Sequence, residues 1–140
     1  MPVPVISATT AAVILALQLI LMITVGLHRV KSQTNIGVGD DPDLERKIRR
    51  HGNLAENAAV FLIVLALAEL VGGAPAILCW VAIAFVVARF SHAIAFSSLT
   101  GSHGESGSKL FVLARVIGAF GTFASGLFLA GYLLYFLNMA

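Results

Sequence analysis

Hydrophobic residues dominate this chain in four long blocks, and polar positions gather in the gaps between them and at one end of the second block. The first block, Val5 to Leu27, is 23 residues of almost unbroken apolar character. A helix needs ~20 such residues to cross ~30 Å of hydrocarbon. The pattern predicts helices over about Val5–Arg29, Asp43–Leu70, Ala76–Leu99 and Lys109–Leu137. The segment Lys31–Asp43 reads as a polar, glycine-bearing loop. Its Asp41-Pro42-Asp43 end is a helix start signal, with a capping side chain followed by proline. Val71-Gly72-Gly73-Ala74-Pro75 reads as a tight turn, and Thr100–Ser108 as a connection rich in glycine and serine. In lipid every backbone polar group needs a partner within the protein, so four such blocks predict an all-α, integral-membrane four-helix bundle. At 140 residues the expected organisation is a single domain covering the whole chain.

The second block departs from the others. Its uninterrupted apolar stretch, Ala58–Ala68, is only 11 residues long. To span, this helix must begin near His51, which brings Asn53 and Glu56 to membrane depth. Ionisable groups are costly there and usually functional. Arg49, Asn53 and Glu56, spaced four and three apart, share one helical face. Arg46 continues that face toward the helix start, while His51 points elsewhere. In the third block Arg89 interrupts an apolar run, with His92 on the same face. Arg89 lies ~15 Å from Leu99 along the helix and needs a partner or a wet cavity. Glu56 is the expected partner. Arg29 ends the first helix, and Arg115 lies one to two turns into the fourth.

Composition agrees with the pattern. Hydrophobic residues make up 59% of the chain and charged residues 11%, against about 25% charged in soluble domains. The net charge of +2 calls for no nucleic-acid partner, because the basic residues follow membrane topology. Arg29, Lys31, Arg46, Lys47, Arg49, Arg50 and Lys109 flank two of the connections. The N-terminal stretch, the Gly72-Gly73 turn and the chain after Arg115 carry no Lys or Arg. The positive-inside tendency places the basic connections in the cytoplasm and both termini away from it, in the inner membrane if the source is bacterial. The first block lacks a charged n-region and is read as a retained helix rather than a cleaved signal. Cys79 stands alone, so no internal disulfide forms. His28, His51, His92 and His103 show no metal-ligand spacing, and no metal is expected. Gly118, Thr122 and Gly126 form a small-residue stripe suited to close helix packing.

Several arginines from different helices, with Asn53 and Glu56, could line a polar cleft. Arginine grips carboxylates through a two-pronged fork and keeps its proton, so it can stabilise a thiolate or oxyanion without titrating. The same residues also permit a plain Arg89–Glu56 structural pair with basic anchors reaching to headgroups.

The string Glu45-Arg46-Lys47-Ile48-Arg49-Arg50-His51-Gly52-Asn53-Leu54-Ala55-Glu56-Asn57 resembles the helix 2 signature of the MAPEG family, the membrane-associated proteins in eicosanoid and glutathione metabolism. That signature reads roughly E-R-x-x-R-x-x-x-N-x-x-E, and the form R-x-H-G-N-x-x-E is typical of bacterial members. Ala88-Arg89-Phe90-Ser91-His92-Ala93-Ile94-Ala95-Phe96 is similar to the family's helix 3 pattern G-R-x-x-H-x-x-G/A-Y/F. The resemblance implies a homotrimer that binds glutathione between neighbouring subunits near the cytoplasmic side. By the same resemblance Arg49, Asn53 and Glu56 are helix 2 glutathione contacts, and Arg89 and His92 the helix 3 contacts. Arg29 is an arginine contributed at the end of helix 1. Arg115 matches the helix 4 arginine that activates the thiol, with Lys109 as the other candidate. Phe96 stands where many members carry a tyrosine that contacts the tripeptide. The implied activity is glutathione transfer to, or peroxidase action on, a lipophilic substrate that arrives through the bilayer. Two other readings stand beside it: a non-catalytic lipid-binding member, and a small transporter using Glu56 and Arg89. Small multidrug transporters place an acidic residue in the first helix, and this chain has none there.

Overall fold

A computed structural model describes residues 3–99 and 108–139 of the chain. Among the described residues four helices, α1 (Val5–Ser32), α2 (Pro42–Leu70), α3 (Pro75–Ala95) and α4 (Lys109–Met139), follow one another. Each is long and apolar enough to cross a membrane. The Thr100–Ser108 connection lies, apart from Ser108, outside the described residues.

The helix ends show why the chain breaks where it does. Asp41 caps α2, its carboxylate accepting from the backbone N–H of Asp43 at 3.0 Å and of Leu44 at 2.9 Å. Pro42 then occupies the first helical position, where a missing N–H costs nothing. The bond from Leu44 N–H, then that with His28, holds the Asp41 carboxyl below the usual carboxylate range. A lowered carboxyl stabilises the fold above the ordinary aspartate range, and that contribution is lost as pH falls through the lowered value. Gly72, at φ 94°, supplies the left-handed residue of the α2–α3 turn.

No side chain of its own caps the start of α1. Glu69, from the far end of α2, does so. One carboxylate oxygen accepts from the N–H of Ile6 at 2.9 Å, and the other from the N–H of Ser7 at 2.8 Å and from the Ser7 hydroxyl. At the opposite end, His28 joins α1 to the start of α2. Lys47 donates to His28 Nδ1 at 2.6 Å, which leaves the His28 Nε2–H to donate to Asp41 at 2.8 Å. The α1–α2 pair is thus tied at both ends.

The helix α3 ends at Ala95, four residues before the expected Leu99. A tertiary contact accounts for the difference. The Arg46 guanidinium, only 4% exposed, donates to the carbonyl of Phe96 and is itself held by Asp43. That carbonyl is thereby committed to α2, and the chain turns away. Arg46 therefore joins two helices instead of simply extending the polar face of α2.

The core runs along the bundle through Leu17 and Leu21 of α1, Leu54, Phe61 and Leu65 of α2, Leu78 and Phe85 of α3, and Leu129 of α4. The Phe61 and Phe85 rings stack at 3.7 Å. The most extensive interface joins α3 to α4. A Cβ on Gly118 would fall 2.7 Å from the backbone nitrogen of His92, and one on Gly121 would fall 2.9 Å from the Ala88 side chain. Ser125, four residues further along the helix, is also buried. Gly126 does not belong to the α3 contact, since a Cβ there would meet nothing within 4 Å. The line of Gly118, Gly121 and Ser125 steps three and four residues, which tracks a helix face better than two steps of four. Gly118→Ala is expected to lower stability by about 1–3 kcal/mol through overpacking against main chain, while Gly126→Ala should be neutral. Thermal unfolding of both variants in detergent checks the contrast.

Candidate functional site

Near the end of the bundle that carries the α1–α2 loop, α2, α3 and α4 enclose a cleft of about 610 Å³. Its α2 wall presents Glu45, Arg49, Gly52, Asn53 and Glu56. The α3 side presents His92 and Phe96, and α4 presents Arg115. The spacing of four and three on α2 explains the shared wall, since those positions return to one face.

Arg49, Glu56 and Arg115 are exposed at this cleft. The ion pairs found among the described residues all lie in the His28, Asp41, Asp43, Arg46 and Lys47 cluster, so none of the three has an ion-pair partner among those residues. The Arg115 guanidinium lies over the Phe96 ring, 5.0 Å from its centroid. His92 stacks on the same residue at 4.8 Å. It is 8% exposed, and its Nδ1 has no hydrogen-bond partner among the described residues. Lys109 is exposed and is not part of the cleft wall.

Arg89 sits behind the cleft, 2% exposed. It does not pair with Glu56 as expected. One terminal nitrogen donates to the Asn53 side-chain oxygen at 2.8 Å and the other to the Thr122 hydroxyl at 3.1 Å, while its Nε is unpartnered. The reason is helical rotation: Asn53 turns toward α3, whereas Glu56, three residues on, faces outward. A buried charge is therefore held by two neutral dipoles, and the Glu56 carboxylate stays available. Asn53 lies between Arg89 and the cleft and touches both.

Arg29 is not brought to this cleft. It lies near the end of α1, where its guanidinium donates to the Thr34 carbonyl at 3.1 Å. His51, which was expected to face elsewhere, does so, meeting Gln18 of α1 at 2.7 Å. The Thr122 contact and the Phe96 stack were not anticipated. Both depend on the register of α3 against α4, which the glycine positions hint at but do not determine without the partner helix.

Below the cleft a narrower groove continues between α2 and α4. Asn57 and Thr122 lie near its top, and Val60, Val64, Leu129 and Ala130 line its deeper part. Gly126 leaves one side open. Polarity thus falls steadily with depth.

Four membrane-length helices with a cationic cleft near one end define an integral membrane bundle with a polar site beside the lipid. The chain belongs to the MAPEG family, whose family model matches residues 7–135. It is thereby a membrane protein of the family associated with eicosanoid and glutathione metabolism. Neither a curated protein nor a solved structure gives a significant match.

Proposed function

We propose that the protein is a glutathione-dependent transferase or peroxidase acting on lipophilic electrophiles or hydroperoxides. The observation that carries this reading is a set of charges gathered in one cleft with no ion-pair partner among the described residues: Arg49 and Arg115 with the Glu56 carboxylate. Glutathione is complementary to it, with two carboxylates, an ammonium group and a thiol. Arg49 would take a carboxylate by its fork, Glu56 the ammonium, and the Asn53 amide a peptide oxygen. Arg89 would act by holding Asn53, and His92 by closing the α3 side. Arg115 would meet the sulfur. A free thiol has a pKa near ~8.5, and an adjacent permanent cation lowers it, so the bound form would be largely thiolate at neutral pH.

The thiolate would attack an electrophilic carbon, forming the C–S bond as the leaving group departs or an epoxide opens. With a hydroperoxide it would attack the distal oxygen. The O–O bond would break to give an alcohol and a glutathione sulfenic acid, which a second glutathione would convert to disulfide and water. The groove between α2 and α4 suits a lipophilic second substrate arriving through the bilayer, because it is apolar at depth and polar beside the cleft.

The assembly we propose is a homotrimer, with the α1–α2 loop facing the cytoplasm, both termini on the other side and, in a bacterium, an inner-membrane location. Arg29 does not line the cleft of its own subunit, so in this reading it would reach glutathione only at a neighbour's site.

Titration calorimetry with solubilised protein tests the reading. Saturable glutathione binding is expected, and its absence would defeat the proposal in favour of a non-catalytic lipid-binding role. Arg49→Ala is expected to weaken binding about tenfold, from loss of charge-assisted hydrogen bonds worth ~1.5 kcal/mol at an exposed position.

A further inference from the structure

The Arg115 side chain presents a mechanical difficulty. It is long, exposed and without a hydrogen-bond acceptor among the described residues. A cation that stabilises a thiolate must stay at a fixed short distance, because the interaction falls with separation and with water between the charges. Left alone, an arginine at a membrane surface swings toward water and headgroups.

The surroundings of Phe96 supply the missing constraint. Gly118 of α4 presses against the main chain of His92, which fixes the register of α4 on α3. One turn toward the cleft from that contact, α3 presents Phe96 (four residues after His92) and α4 presents Arg115 (three residues before Gly118). The two side chains therefore meet as a consequence of the glycine contact, with the guanidinium 5.0 Å from the ring centroid. Phe96 is itself held twice. The His92 ring stacks on it at 4.8 Å, and its carbonyl accepts from Arg46. A ring fixed in this way offers the guanidinium a flat, electron-rich face that attracts a cation without taking up any of its N–H donors.

We propose that Phe96 is a positioning residue for the reaction, its ring face holding Arg115 aimed into the cleft with all its donors free for the sulfur. This rests on the glutathione reading above. It gives Phe96 a role independent of the hydroxyl that a tyrosine would bring to the same place. The other charged or titratable side chains at the cleft are Glu45, Arg46, Arg49, Glu56 and His92, and none of them is shown to restrain Arg115.

The test compares Phe96→Leu, which keeps an apolar side chain but removes the ring face, with Phe96→Tyr, which keeps the face. Three readouts are followed: glutathione affinity, the ultraviolet titration of the bound thiol, and the Arg115 side-chain resonances. Phe96→Leu is expected to raise the bound thiol's apparent pKa by roughly half to one unit, lowering thiolate and kcat about three- to tenfold at pH values well below the parent's thiol pKa. Glutathione affinity should change less. Phe96→Tyr should keep the parent's thiol titration. In the parent, ring current should shift the Arg115 guanidinium protons upfield, and Phe96→Leu should abolish that shift. An unchanged thiol titration in Phe96→Leu overturns the proposal, as does a Phe96→Tyr variant that fails like the leucine variant. If the parent forms no thiolate, the glutathione reading falls and the positioning role with it. The resonances then identify the fault: a ring-current shift places the error in the assigned chemistry, and its absence places it in the stack.

Discussion

Replacing Arg115 by alanine should lower turnover about 25-fold near neutral pH while leaving glutathione affinity within a few-fold of the parent. The magnitude follows from the thiol. At a pKa near ~8.5 only a few per cent is ionised at pH 7, and a cation that lowers the value by about two units makes thiolate the majority form. Removing the cation returns the thiol to its free behaviour. Binding should survive because Arg49, Asn53 and Glu56 are supplied to the cleft by α2 and keep their places when the Arg115 side chain is removed. The pH profile should change in the same sense. The parent should hold its rate down to the lowered thiol value, whereas Arg115→Ala should lose rate from the higher, free-thiol value downward. Lys109→Ala is the control and should behave as the parent, because Lys109 is outside the cleft wall. Steady-state kinetics at several pH values reads out all three proteins. A Lys109→Ala variant that loses the rate while Arg115→Ala keeps it would reverse the roles of the two cations.

The second large effect concerns folding. Asn53→Ala should destabilise the protein by about 3 kcal/mol, because it leaves the Arg89 charge buried with the Thr122 hydroxyl as its one side-chain partner. Glu56→Ala should cost little, since Glu56 is exposed and has no ion-pair partner among the described residues. Asn53→Asp discriminates further. A carboxylate would keep an acceptor for Arg89 and add charge compensation, so folding should be retained. The amide donor facing the cleft would be lost, and glutathione binding should weaken. Unfolding midpoints in a fixed detergent, measured beside glutathione affinity, separate the two roles. An Asn53→Ala protein as stable as Glu56→Ala would mean that Arg89 does not rely on Asn53.

Much of this arrangement can be read from the residues, and the unread part has a common cause. The four membrane-length helices and their starts, to within one residue, follow from block length and from the Asp41-Pro42 and Pro75 signals, all local. The shared wall of Arg49, Asn53 and Glu56 follows from spacing within one helix. What spacing does not give is rotation about the helix axis relative to a neighbour. That rotation sends Arg89 to Asn53 and Thr122 instead of Glu56, and it excludes Gly126 from the α3 contact made by Gly118 and Gly121. The early end of α3 has the same origin, because the group that claims the Phe96 carbonyl, Arg46, lies 50 residues away in sequence. The capping of α1 by Glu69 is equally non-local, at a separation of 63 residues for Ile6. Local chemistry therefore located the charged groups and named the family motif. Only the packed bundle shows which of those charges are paired in holding the fold and which have no ion-pair partner among the described residues.

We propose that the charges left over at the cleft turn bound glutathione into a thiolate. The most direct measurement is the ultraviolet difference spectrum of glutathione added to solubilised parent protein at neutral pH, with Arg115→Ala run alongside. A thiolate band that rises saturably with glutathione in the parent and is absent from Arg115→Ala at matched occupancy is the expected result. Saturable binding without a thiolate band, or a band of equal size in both proteins, would contradict it.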